Sequence, residues 1–132
     1  MKARTRVLSE RVKELDCVYQ ACRLFRHPDL RRDQRVGRIV DLLPKAWQFP
    51  KLACARAVIA GREFRTRAFR DAPWTLEEPV FAAGSPLGAV EVRYVRQALP
   101  TADEGPFLRE ERLLLRVIAE LLGAIHDADS AR

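Results

Sequence analysis

The residues best equipped for chemistry in this chain are arginines. Arg65, Arg67 and Arg93 fall in stretches that alternate as strands, and Trp74 stands between them in the chain. Brought to one sheet face, three guanidinium forks beside an indole would hold a small anionic ligand, because guanidinium grips carboxylate or phosphate through paired N–H donors. The same arginines have Glu63, Glu77 and Glu91 within cross-strand reach, which would make an ion-pair face instead. A second cluster, Arg23, Arg26, Arg31, Arg32, Arg35 and Arg38, surrounds a helix break. Clustered guanidiniums are a phosphate footprint and so fit nucleic acid. Neither an aromatic stacking platform nor a recognition-helix signature accompanies them.

Catalytic patterns are missing. His27 and His126 are the two histidines, and neither has a Ser, Cys or Asp at a motif spacing. There is no Gly-x-Ser-x-Gly, no glycine-rich phosphate loop and no paired metal motif. The three cysteines, Cys17, Cys22 and Cys54, are odd in number and irregular in spacing, which fits buried thiols and not a disulfide framework or a zinc or haem site. The chain therefore reads as a binding or regulatory protein and not as an enzyme, with no metal and no cofactor.

The elements that must position these residues follow from periodicity. Leu8, Val12, Leu15, Tyr19 and Cys22 recur in steps of 4, 3, 4 and 3, a heptad-like seam on an N-terminal helix over 1–26. His27-Pro28-Asp29 breaks it. Val36, Ile39, Val40 and Leu43 share one face of a second helix over 32–43, ended by Pro44, and a connector carrying Trp47 and Phe49 leads into strands. Residues 52–60 and 63–69 form a hairpin about Ala60-Gly61, in which Arg65 and Arg67 oppose Phe64, Thr66 and Ala68. Residues 79–83 and 89–96 form another, with Gly84-Ser85-Pro86-Leu87-Gly88 as the turn. A last helix over 107–126 starts near Pro106, Glu110 and Glu111, where negative charge suits the helix dipole. Leu113, Val117, Leu121 and Ile125 line one face of it, and Leu114, Ile118 and Leu122 widen the stripe. Two hairpins without a crossover helix imply an α+β fold: an antiparallel sheet of about four strands with helices on one side. The length of 132 residues suits a single domain over 1–132.

Bulk properties narrow the class further. Hydrophobic residues make up 48% and charged residues 32% of the chain, as in a folded globular domain. No run approaches the roughly 18 apolar residues of a membrane span, and no apolar stretch follows the basic N-terminus as in a secretory signal, so a cytoplasmic location without membrane attachment is expected. The net charge of +6 favours anionic partners in a general way.

Several blocks together resemble the GAF-like input domains of bacterial and archaeal sensor histidine kinases. They are Glu10–Tyr19 (ERVKELDCVY), Ile39–Pro50 (IVDLLPKAWQFP), Ala53–Arg56 (ACAR), Gly61–Thr66 (GREFRT), Gly88–Tyr94 (GAVEVRY) and Asp103–Arg112 (DEGPFLREER). The resemblance spans nearly the whole chain through short scattered matches. It implies an antiparallel sheet with the terminal helices on one face and a small-molecule cavity on the other. The segment from Phe69 to Val80 is short for roofing a deep cavity. It also implies a stand-alone regulatory or sensory module, acting as a homodimer and signalling through a partner such as a kinase or other output protein. Leu8, Val12, Leu15, Tyr19, Leu114, Ile118 and Leu122 are then the expected dimer or partner surface, and Arg65, Arg67, Trp74 and Arg93 the expected ligand site. The competing expectation is a basic nucleic-acid-binding protein using the arginines of 23–38.

Overall fold

The computed structural model describes residues 2–130. Residue 1 and residues 131–132 of the expected single domain lie outside the described residues. Helix α1 (Lys2–Arg26) is followed by α2 (Arg32–Ala46), a 3-10 turn (Pro50–Leu52), strands β1 (Ala53–Ile59), β2 (Arg62–Arg65), β3 (Trp74–Ala82) and β4 (Ser85–Tyr94), and helix α3 (Arg109–Ser130). The fold is α+β, with one antiparallel sheet in the order β2-β1-β4-β3. The two hairpins join through their inner strands, with Ala55 opposite Val92 and Ala57 opposite Val90.

The first hairpin turn is the one the sequence suggests, and the second is tighter than expected. Ala60 (φ 51°) and Gly61 (φ 80°) close the first, and Ala83 (φ 51°) and Gly84 (φ 77°) close the second. Left-handed geometry at both central residues gives the twist that two-residue hairpins need. Ser85, Pro86, Leu87 and Gly88, expected in the second turn, are therefore strand residues. β2 ends at Arg65, short of the expected 69, while β3 begins at Trp74, earlier than the expected 79. Pro44 does not end α2: it sits in the last turn, where its carbonyl accepts the Trp47 N–H at 3.3 Å.

One sheet face builds the core. Ala55, Ala57, Ile59, Leu76, Val80, Val90, Val92 and Tyr94 are buried there against Val36, Ile39, Val40 and Leu43 of α2 and Leu115, Ile118, Leu122 and Ile125 of α3. Close approach of α3 to β3 depends on Gly123, since a methyl group there would come within 2.1 Å of the Phe81 carbonyl oxygen. Helix α1 packs on α2 and α3, outside them, and not beside them on the sheet. Of its inward residues the small Cys17 and Ala21 are buried between the helices, and Val18, Leu24 and Phe25 are half-buried against the core. The expectation of both terminal helices lying on the sheet holds for α3, while α2 takes the place given to α1.

Two polar devices fix α3. Arg112 and Arg116 both bond the buried Glu78 of β3, at 2.6 and 2.9 Å, and Arg112 also reaches Glu104. Burial alone would raise the Glu78 carboxyl, but the hydrogen bonds from Arg116 and Arg112 outweigh it and hold it below the usual range. At the start of the helix, buried Glu111 accepts the Leu108 N–H at 2.7 Å, the third-position half of a capping box. Its other oxygen accepts the Gln48 N–H at 2.7 Å and the Tyr94 hydroxyl at 3.4 Å. Tyr94 in turn stacks on Phe107 at 4.9 Å.

Candidate functional site

Large apolar side chains in water are concentrated on one surface. On α1, Leu8, Val12, Leu15 and Tyr19 are 61%, 65%, 71% and 61% exposed, and on α3, Leu113 and Val117 are 49% and 40% exposed. Of the large exposed hydrophobics among the described residues, Phe81 alone lies elsewhere. The two rows border a groove of about 300 Å³ lined by Leu15, Val18, Leu113, Leu114 and Val117, with Arg11, Glu14 and Glu110 at its rim. Arg11 spans the rim to Glu110 at 3.6 Å. The Glu14 carboxyl is raised, first by partial burial and then by Glu110 and Glu10, against the pull of Arg11 and Lys13.

The α1 half of the expected interface is therefore on the surface, and the α3 half is not. Leu114, Ile118 and Leu122 are core residues, the last two fully buried under the helix. A helix carrying apolar residues over half its circumference must give one side to the sheet, and Gly123 fixes which side that is by bringing α3 close to β3. Leu113 and Val117, one position before Leu114 and Ile118, are what α3 leaves in solvent.

The expected ligand residues do not converge. Trp74 stands opposite Tyr94 in the β3–β4 register and Arg93 opposite Thr75, so indole and guanidinium lie on opposite faces of the sheet. The Trp74 N–H donates to the Gln97 carbonyl at 2.9 Å. Arg65 is exposed on the outer strand, 3.7 Å from Glu63, and Arg67 is exposed in the loop after it. Arg93 is committed to its neighbours: it bonds Glu91 at 2.9 Å and Asp71 at 3.1 Å, and its guanidinium lies 5.1 Å from the centre of the Phe69 ring. Arg56 approaches the same ring at 4.9 Å and pairs with Glu91 and Glu63. Phe69 thus lies against both of the cations that pair with the buried Glu91, and an ion-pair ladder occupies the face where a ligand cavity was expected.

The arginine cluster of 23–38 is dispersed. Arg23 lies over Tyr19, 5.9 Å from its ring centre, whereas Arg35 is buried on α2. Arg31 and Arg32 turn to a different neighbour, Arg62 of the β1–β2 hairpin, and line a cavity with it. Residues 31 and 62 are too far apart in the chain for spacing to reveal this meeting.

No family model, characterised protein or solved structure matches this chain. Among the described residues no group of three or more His, Cys, Asp or Glu side chains comes together to hold a metal ion, and no helix is long and apolar enough to cross a membrane. The apolar surface of α1 and α3 and the arginine-lined cavity are the two features that internal packing leaves unexplained.

Proposed function

We propose that this chain is a regulatory module of GAF-like kind that pairs with a second copy through α1 and the exposed edge of α3, and signals through a partner protein. The observation that carries the reading is the row Leu8, Val12, Leu15 and Tyr19, all more than half exposed. Covering a side chain of this size is favourable by roughly 1.5–3 kcal/mol, so a two-fold contact that covers the row on both copies has a large driving force.

A second copy is the occupant that fits the spacing. The row follows a heptad with Leu8 and Leu15 at one core position and Val12 and Tyr19 at the other, and a self-complementary stripe is what a two-fold interface requires. Leucine at the first position and β-branched valine at the second suit two strands running parallel. Arg11 and Asp16 flank the row five residues apart, the separation at which opposite charges pair between parallel copies. The groove beside α1 gives the partner helix room against Leu113 and Val117. Order of elements, one antiparallel sheet and helices on a single face support the GAF-like assignment.

Sedimentation velocity over a wide concentration range tests this. The chain should run as a dimer, and Leu15→Glu with Tyr19→Glu should give a folded monomer. Leu114→Glu, in the core, should unfold the protein instead. A wild-type species that stays monomeric at high micromolar concentration would defeat the proposal.

A further inference from the structure

The arginine-lined cavity lies at the other end of α3 from the apolar groove, and three distant parts of the chain build it. The start of α2 gives Arg32 and Asp33 with Arg31 just before them, the start of β2 gives Arg62, and the C-terminal half of α3 gives His126. An open mouth of about 400 Å³ is lined by Arg31, Arg32, Asp33 and Arg62. A narrower throat of about 80 Å³ shares Arg32, Asp33 and Arg62 with the mouth and has Val36, Ile59, Phe64 and Leu122 as apolar walls.

The charge in the mouth is unbalanced. Among the described residues lining it, three guanidiniums meet the single carboxylate of Asp33, which bonds Arg62 and lies 3.8 Å from Arg32 Nε. Arg32 also contacts His126 Nδ1 at 3.4 Å, which orients its fork across the throat. The α2 N-terminus adds its own positive end to the same place. Two uncompensated positive charges in the mouth match a phosphate, which carries −1.5 to −2 at neutral pH.

We propose that this cleft binds a phosphate dianion, free or as the terminal group of a small monoester, held by Arg31, Arg32 and Arg62 in place of the Asp33 carboxylate. The mouth is within the range of small-molecule sites, roughly 300–1,000 Å³. The throat is smaller than three waters' share of liquid volume, about 30 Å³ each, so it admits a short carbon segment and not an aromatic base. Asp33 closes the empty cleft as an internal counter-ion and is displaced by the stronger acceptor. α3 carries both surfaces, with Val117 at the groove and His126 at the cleft about 14 Å further along its axis.

Calorimetric titration of the full chain at constant ionic strength, with inorganic phosphate, glycerol 3-phosphate and a short single-stranded oligonucleotide, tests the site. Saturable binding of one equivalent is expected, about tenfold weaker in Arg62→Gln, whose side chain is exposed and unneeded for folding. Asp33→Asn should bind severalfold more tightly, because the competing carboxylate is gone. Tighter binding of glycerol 3-phosphate than of phosphate identifies a monoester as the ligand, and equal binding identifies the free anion. The proposal fails if neither small phosphate binds in the low millimolar range, or if Arg38→Gln, on the exposed side of α2, weakens binding as much as Arg62→Gln does. Binding of the oligonucleotide alone would also overturn it, in favour of a diffuse polyanion footprint.

Discussion

Glu111 of α3 accepts the backbone N–H of Gln48, 2.7 Å away, and so ties the first turn of the last helix to the connector that leaves α2. The carboxyl is almost fully buried, with Phe107 and Tyr94 close by. Burial pushes its pKa up to about 7, although the N–H groups of Leu108 and Gln48 and the Tyr94 hydroxyl pull it down, and Glu10 of α1 adds to the rise.

That elevation has a definite sign for stability. The folded protein holds the Glu111 proton at a pH where the unfolded chain, at about 4.5, has lost it. The contribution is complete below 4.5 and is lost as pH rises through about 7, with a ceiling of about 3 kcal/mol. Urea denaturation at pH 5 and pH 8 should show the wild type losing stability over this interval. Glu111→Gln should flatten that slope. A wild type with no decline between these pH values would refute the assignment.

Glu78 acts in the opposite way, because its ionised form is the one the fold uses. Glu78→Ala leaves Arg112 and Arg116 without their shared acceptor on β3. The loss should be about 2 kcal/mol, less than the roughly 3–5 kcal/mol of a fully enclosed pair, since Arg116 is partly in solvent. Arg11→Ala, whose partner Glu110 is reached across an exposed rim, should change stability by under about 1 kcal/mol. Chemical denaturation of both variants against wild type makes the comparison.

The hairpin turns leave stability unclaimed. Ala60 holds φ at 51°, where an alanine Cβ is strained by about 1–2 kcal/mol and asparagine is tolerated. Ala60→Asn gives the Asn-Gly pair that suits this turn. A gain of about 1 kcal/mol is expected in thermal or urea unfolding, and a loss would show that the turn is not of this type.

The proposed pairing also assigns a place to Cys22. It continues the row of Leu8, Val12, Leu15 and Tyr19 by one further step of three, so parallel copies bring the two Cys22 thiols together. Cys17 and Cys54 are buried, and burial pushes the Cys17 thiol up to about 12, which keeps it inert. A short bismaleimide should trap a covalent dimer from wild type but not from Cys22→Ala. A dimer by sedimentation that fails to cross-link would have its α1 helices antiparallel.

Much of the fold was readable before any tertiary contact was known. The steps of 3 and 4 along α1 and α3 define helices because residues at those spacings share a face, and the alternation of Val90, Val92 and Tyr94 defines a half-buried strand because successive side chains point oppositely. Two turn signals with no crossover between them dictated hairpins and an antiparallel sheet. The start of β3 was obscured because Pro73-Trp74 reads as a break, yet Trp74 pairs with Tyr94.

Sequence alone determined that α1 and α3 each carry an apolar stripe, since periodicity is a property of a single helix. Which stripe is covered was decided by packing. α1 turns its small residues Cys17 and Ala21 inward, because they let helices approach closely, and leaves its larger row outside. α3 is rotated by its close approach to β3 at Gly123, which sends Leu114, Ile118 and Leu122 into the core and Leu113 and Val117 into solvent. Arg62 meets Arg31 and Arg32 only because the hairpin returns β2 to the start of α2, a proximity that no local spacing encodes.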